Sequence, residues 1–412
     1  MEDPVFTFGL IADVQYADIE DGENYLRTRR RYYRGSADLL RDAVLQWRRE
    51  RVQCVVQLGD IIDGHNRRRD ASDRALDTVM AELDACSVDV HHVWGNHEFY
   101  NFSRPSLLSS RLNSAQRTGT DTGSDLIGDD IYAYEFSPAP NFRFVLLDAY
   151  DLSVIGREEE SEKHTHSWRI LTQHNHNLQD LNQPPGTHTH THAHTHTHSW
   201  RILTQHNHNL QDLNQPPGTH THTHTHTHSW RILTQHNHNL QDLNQPPGTH
   251  THTHTHSWRI LTQHNHNLQD LNQPPVSVGL EQRFVKFNGG FSEQQLQWLD
   301  AVLTLSDHKQ ERVLIFSHLP VHPCAADPIC LAWNHEAVLS VLRSHQSVLC
   351  FIAGHDHDGG RCTDSSGAQH ITLEGVIETP PHSHAFATAY LYEDRMVMKG
   401  RGRVEDLTIT YS

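Results

Sequence analysis

The chain has 412 residues, a formal net charge of −17, 39 histidines and six cysteines. So acidic a balance repels phosphate backbones and argues against a nucleic-acid binder, yet it leaves room for a small anionic substrate where bound cations reverse the local field. No stretch approaches the ~18 apolar residues of a membrane span, the start Met1-Glu2-Asp3-Pro4 lacks the marks of a signal peptide, and no two cysteines form a Cys-x-x-Cys pair, so the expectation is a cytoplasmic monomer, off the membrane, with free thiols.

Residues 5–12 are an apolar run closed by Asp13, the pattern of a buried strand. Within 37–49, Leu39, Leu40, Ala43, Val44 and Trp47 recur at helical spacing. Residues 52–58 predict a second buried strand, closed by Asp60, and 74–86 a second helix. A third strand, 88–94, runs into Gly95-Asn96-His97-Glu98. This is a βαβαβ pattern with polar residues at each strand's carboxyl end, where such sheets place their ligand site. Residues 131–136 and 142–147 read as two paired strands.

From 164 to 275 the sequence copies itself. Ser-Trp-Arg-Ile-Leu-Thr-Gln-His-Asn-His-Asn-Leu-Gln-Asp-Leu-Asn-Gln-Pro-Pro begins at Ser167, Ser199, Ser229 and Ser257, with Thr-His tracts between the copies. The tracts have no apolar period and are broken by Pro-Pro, so this insert is expected to be disordered; Trp-Arg-Ile-Leu can start a short helix in each copy, but only one copy can occupy any place in the core. Metal buffering by its histidines is one reading of it; a passive insert, grown by duplication of a simple repeat, is the simpler one. Setting it aside leaves residues 1–163 and 276–412, about 300 residues, enough for one α/β domain.

Beyond the insert, 291–305 predicts a helix with Ser292 as N-cap and Gln295 at the capping-box position. A strand at 312–316 delivers Ser317-His318, a helix follows at 334–343, and a strand at 348–353 delivers Gly354-His355-Asp356-His357. Residues 385–392 and 396–400 read as a hairpin around Glu393-Asp394. The strand ends therefore carry Asp13-Val14-Gln15, Gly59-Asp60-Ile61-Ile62-Asp63-Gly64, Gly95-Asn96-His97-Glu98, Ser317-His318 and Gly354-His355-Asp356-His357. Any one of these reads as well as a turn; five in this order, each after a buried strand, point to a metal site.

These motifs resemble the signature of the calcineurin-like metallophosphoesterases. The longer runs at 6–16, 289–292, 317–323, 332–334, 354–360 and 373–381 are similar to the manganese-dependent ADP-ribose/CDP-alcohol diphosphatases. The resemblance implies an α/β fold, a four-layer sandwich of two mixed β-sheets flanked by helices, and two divalent metal ions, manganese first, with zinc or magnesium as alternatives. It places Asp13, Gln15, Asp60 and His357 on the first ion and Asp60, Asn96, His318 and His355 on the second, with Asp60 bridging. His97 would act on the leaving group, as general acid or as a cation, with Asp63 hydrogen-bonded to it and raising its pKa. Gln15 replaces the superfamily's usual histidine and offers a hard, neutral carbonyl oxygen, which favours manganese over zinc. Glu98 is expected to orient its loop. Among the remaining histidines, His322 and His384 are set apart because they flank these motifs.

The activity so implied is hydrolysis of the diphosphate bond in small nucleoside diphosphate derivatives. ADP-ribose would give AMP and ribose 5-phosphate, and CDP-choline, CDP-ethanolamine or CDP-glycerol would give CMP and a phosphorylated alcohol. The alternatives are a phosphodiesterase or phosphoprotein phosphatase of the same fold, or a His-rich metal-binding protein.

Overall fold

The computed structural model describes residues 3–24, 27–118, 127–128, 130–175, 195–205, 225–235, 254–263 and 279–411. The chain divides into two compact units, Met1–His174 with Ser277–Ser412, and Asn175–Val276.

The first unit opens with the expected alternation: β1 (Phe6–Ile11), α1 (Gly35–Glu50), β2 (Cys54–Gln57), α2 (Ser72–Asp84) and β3 (Asp89–His92). α3 (Asn96–Asn101) follows, then β4 (Tyr134–Phe136), β5 (Phe142–Leu146) and α4 (Glu162–His174). Past the repeats come α5 (Glu293–Lys309), β6 (Arg312–Phe316), α6 (His335–Arg343) and β7 (Val348–Ala353). β8 (Gly360–Thr363), β9 (Gln369–Thr372), β10 (Ala385–Leu391), β11 (Arg395–Gly402) and β12 (Leu407–Thr410) complete it.

The strands form two mixed six-stranded sheets, ordered β12-β11-β10-β1-β2-β3 and β8-β9-β7-β6-β5-β4. β1 lies parallel to β2 and antiparallel to β10, with Gly9 between Val55 and Thr388. β6 lies parallel to both β5 and β7. Strands buried on both faces read as continuous apolar runs, which is why β1, β6 and β7 were legible. The sheets pack face to face: the Phe8 ring of β1 lies 4.9 Å from Phe144 of β5 and 6.1 Å from Phe316 of β6. Helices cover the outer faces. Buried Trp47 of α1 lies across Gly9, where an added Cβ would come within 2.5 Å of the ring, and donates its indole N–H to Ala387 O at 3.0 Å. On the other side α5 packs against β6 and α6. The result is the expected α/β sandwich of helices, sheet, sheet and helices. Among the described residues no helix is long and apolar enough to cross a membrane.

Three features depart from the sequence reading. Ser292 does cap α5, accepting from Gln295 N at 3.2 Å, but the capping box does not close. The buried Gln295 side chain turns to the loop after β5 instead, accepting from Asp148 N at 2.8 Å and donating to Asp148 O at 2.9 Å. Second, Cys324 and Cys362 form a disulfide, with Cα atoms 6.0 Å apart, while Cys54, Cys86, Cys330 and Cys350 are free. The pair is 38 residues apart in sequence; only the folding of β8 beside the loop after β6 brings it together, so no local spacing announces it.

Third, the repeat copies do not share one structure. The first copy lies in α4, with Ser167 and Leu171 buried. Lys163 Nζ anchors its start, 2.6 Å from Asp151 Oδ1, and the His174 ring stacks on Phe284 at 4.0 Å. The other three copies enter strands at 195–205, 225–235 and 254–263, which form one parallel sheet with Trp230 in register with Trp200 and Trp258. The helix forms in the first copy, and the other three take strands that pair with one another. The Pro-Pro breaks and most of the Thr-His tracts, for which disorder was the expectation, lie outside the described residues.

Candidate metal centre

The strand ends bring the candidate residues together on an unusual backbone. Asp13, Gln15, Asp60 and His355 have φ of 53°, 44°, 56° and 69°, a left-handed region that costs a non-glycine residue about 1–3 kcal/mol and persists only where its surroundings enforce it. Here they do. Asp13 N donates to Gly59 O and Gln15 N to Asp60 O, lacing the first two tips together. Buried Glu98 accepts from Gly95 N, Asp60 N and Ile61 N at 2.6, 2.8 and 2.7 Å, the loop-orienting role expected of it. Gly95 allows this approach, since a Cβ there would sit 2.2 Å from Asp60 Oδ1 and 2.7 Å from His318 Nε2.

The donors fall into two groups that meet at Asp60. In one, Gln15 Nε2 lies 3.4 Å from Asp13 Oδ1, 3.2 Å from Asp60 Oδ2 and 3.0 Å from His357 Nε2, and His357 Nε2 lies 3.3 Å from Asp13 Oδ1. In the other, His318 Nε2 lies 3.3 Å from Asn96 Oδ1, 3.1 Å from His355 Nδ1 and 3.5 Å from Asp60 Oδ2. Asp60 Oδ1 is taken by His97 N at 2.8 Å, which leaves Oδ2 as the atom common to both groups.

Each imidazole is aimed by its other nitrogen. His318 Nδ1 meets Leu58 O at 2.8 Å, His355 Nε2 meets Asn288 Oδ1 at 2.9 Å and His357 Nδ1 meets Glu378 Oε1 at 2.9 Å. An acceptor at each outward nitrogen fixes a proton there, so a neutral ring turns its lone pair inward, as metal-binding histidines require; burial keeps His318 and His355 in that neutral form. Charge points the same way. Burial pushes Asp60 well above the usual carboxylate range, with Glu98 and Asp13 adding to it, because a buried anion without a counter-charge is costly. Burial opposes the charged form of His357 too, but Asp13 and Glu378 outweigh it and raise the ring to about 9. Lone-pair nitrogens on His318 and His355, an under-compensated carboxylate at Asp60 and a His357 proton that an incoming ion can displace fit divalent cations in this buried space.

Gln15 presents its amide nitrogen to these groups, while its Oε1 accepts from Arg31 Nη1 at 3.3 Å. A ligand role needs the amide turned over, which sets its NH₂ against Arg31 and moves that guanidinium aside.

His97 and Asp63 lie next to the donors. His97 Nε2 is 3.8 Å from Asp60 Oδ2, and its Nδ1 accepts from Gly64 N at 2.8 Å, with Asp63 Oδ2 3.3 Å away. Burial lowers His97 to about 4, outweighing the opposing pull of Asp63, so the expected rise is not what the surroundings of the ring produce. Asp63 also serves as an N-cap, accepting from His65 N at 2.7 Å. Sequence reasoning passed over the outer partners. Asn288 and Arg31 lie in no strand-end motif; Glu378 lies in the 373–381 run, but nothing in its spacing ties it to His357. Tyr150, whose hydroxyl donates to Asn96 Oδ1 at 3.2 Å, sits in the loop after β5.

A two-sheet α/β sandwich with paired nitrogen and carboxylate donors at its strand ends is the architecture of the calcineurin-like dimetal phosphatases. A crystal structure of a dimetal phosphatase from Danio rerio superposes with a TM-score of 0.75 at 76% identity, covering 100% of both chains. A manganese-dependent ADP-ribose/CDP-alcohol diphosphatase from Danio rerio is 78% identical over 412 residues, covering 100% of both chains. The human protein of that description is 41% identical over 411 residues, which are 99% of this chain and 93% of the relative. No protein-family model matches. The chain belongs to the manganese-dependent ADP-ribose/CDP-alcohol diphosphatase family.

Proposed function

We propose that this chain hydrolyses the diphosphate bond of ADP-ribose and of CDP-alcohols, with two manganese ions held between the donor groups that meet at Asp60. The carrying observation is the set of three imidazoles, His318, His355 and His357, each with its outer nitrogen tied to an acceptor; the inner nitrogens of His318 and His357 face the buried carboxylates of Asp60 and Asp13, and that of His355 lies 3.1 Å from His318 Nε2. Asp13, Gln15, Asp60 and His357 would hold one ion, and Asp60, Asn96, His318 and His355 the other. Bound there, the pair supplies positive charge to the phosphoryl oxygens and eases ionisation of the attacking water.

The chain's own groups do the rest. Asp60 would be the residue shared by the two sites, and Glu98 fixes its backbone. His97 is neutral near pH 7 with its proton on Nε2, since Nδ1 accepts from Gly64. It therefore acts as a hydrogen-bond donor toward the departing phosphate rather than as a cation or a proton donor. Asp63 is a positioning residue: it caps the turn that supplies Gly64 N. The site so proposed needs no second copy of the chain, and the reading is of a cytoplasmic monomer acting on small molecules.

The test is turnover by fully chelated protein resupplied with manganese. ADP-ribose is expected to give AMP and ribose 5-phosphate, and CDP-choline to give CMP and phosphocholine. No recovery with manganese, or products cleaved at another bond, would sink this reading.

A further inference from the structure

The Cys324–Cys362 pair lies outside the dimetal centre but close to it along the chain. Cys324 is in the loop that leaves His318, and Cys362 is in β8, just beyond His357. His322 completes the group: its Nδ1 is 2.9 Å from Cys324 Sγ and 3.4 Å from Cys362 Sγ. Two sulfurs and one imidazole nitrogen, from three backbone positions, therefore lie within 4.8 Å of one another. Cys324 is exposed and the other two half-buried, so solvent reaches the bond.

We propose that reduction of this disulfide opens a further metal site, in which Cys324 Sγ, Cys362 Sγ and His322 Nδ1 bind one zinc ion with water in the fourth position. A dithiol, or two molecules of a monothiol, supplies the two electrons and two protons: the S–S bond breaks, two S–H bonds form, and the reductant leaves as its own disulfide. Each cysteine gives up its proton as its thiolate ligates, so binding of one ion releases two protons. Two thiolates and an imidazole are a zinc donor set that keeps one position open. Soft thiolates also disfavour manganese, so this site and an oxygen-rich dimetal centre draw on different ions. Zn–S bonds of about 2.3 Å at a tetrahedral angle set the sulfurs about 3.8 Å apart. Side-chain rotation at Cα atoms 6.0 Å apart accommodates that separation.

The surroundings allow the third ligand. Burial, with Arg343 adding to it, lowers His322 below the ordinary histidine value, which favours the neutral ring that ligation needs. Ligation through Nδ1 requires the ring proton on Nε2, which now lies 3.4 Å from Arg343 Nη2. Arg343 must then turn away. Its side chain is 42% exposed, and its Nε already lies 3.7 Å from Asp364 Oδ2. Neighbouring His370 is engaged elsewhere, with Nε2 3.2 Å from Asp364 Oδ2. Bonded or metal-filled, the site ties the loop after β6 to β8.

Cobalt separates this site from the dimetal centre. The candidate ligands of that centre are nitrogen and oxygen donors, and so are the repeat histidines, so a thiolate-to-cobalt charge-transfer band reports only bound cysteine. Full-length protein, reduced, chelated and titrated without oxygen, should develop the band and saturate it with one cobalt at sulfur. Protein with the disulfide intact should show none. The band should vanish in the Cys324→Ser/Cys362→Ser double variant and need a much higher cobalt concentration in His322→Ala. No band in the reduced protein overturns the proposal, as does one that persists in the double variant. A second measurement needs no variant: oxidation of zinc-loaded wild-type protein should expel one zinc per chain to a chromophoric chelator, and release of none refutes the site.

Discussion

Ser-Trp-Arg-Ile-Leu-Thr-Gln occurs four times in this chain and takes two structures. At residues 167–173 it lies within α4; at 199–205, 229–235 and 257–263 it lies in strands of a parallel sheet. Local propensity is identical in all four, so it does not decide. The first copy has the body to fold against, with Leu171 only 1% exposed, and the later copies have each other. Tertiary context overrides propensity. The same contrast separates the two units. In the body each functional residue has one place and no substitute, whereas the repeats supply copies.

If that contrast is right, the largest effect belongs to a residue with a single place. Asp60→Asn should lower manganese-dependent turnover at least as much as removal of an oxyanion-stabilising group, about 10²–10³-fold, in steady-state assays of the reconstituted protein. Near-normal turnover would break the assignment of Asp60 Oδ2 as the shared atom.

Next in size is the pH dependence of metal binding. His357 must lose its proton to ligate, and its partners Asp13 and Glu378 hold the metal-free ring at about 9. Apparent manganese affinity should therefore climb roughly tenfold per pH unit up to about pH 9 and then level off. Calorimetric titration across pH 6.5–9 reads this. The metal-free fold should move the opposite way. A raised histidine pKa contributes stability that is fully present below its unfolded value, near 6.5, and is lost as pH rises through about 9.

The repeats give the direct comparison. Leu171→Ala should destabilise the body by about 2–4 kcal/mol, whereas the equivalent Leu203→Ala should leave its denaturant midpoint within about 0.5 kcal/mol. Equal effects would mean that the first copy is not special. Smallest of all should be deletion of residues 167–256, which places the last copy directly after His166. The helix is restored in sequence, and because closure entropy varies slowly with loop length, turnover and melting temperature should scarcely change.

What was legible in the sequence followed from burial. β1, β2, β6 and β7 are apolar on both faces, so their ends were visible, and the strand-end acids, amides and histidines with them. β8, β9 and β12 are short edge-side segments such as Gly-Arg-Cys-Thr, with no run to mark them. Glu378, Asn288 and Arg31 were missed as site residues because each acts across more than ten residues of chain, on a partner that only the fold supplies. The fate of the repeats was illegible for the reason already seen: nothing in four identical strings says which one meets the body.

The three outward anchors of the imidazoles, Leu58 O, Asn288 Oδ1 and Glu378 Oε1, belong to the polypeptide and need no ion to be in place. The rotameric freedom of His318, His355 and His357 is therefore surrendered when the chain folds, before any metal arrives. A centre organised in that order can be emptied and refilled without unfolding, unlike a small zinc module whose fold is created by its ion. Chelation should accordingly leave the amide hydrogen-exchange protection of β1, β2, β6 and β7 in place, so that exchange of one metal for another is a matter of ligand replacement rather than refolding.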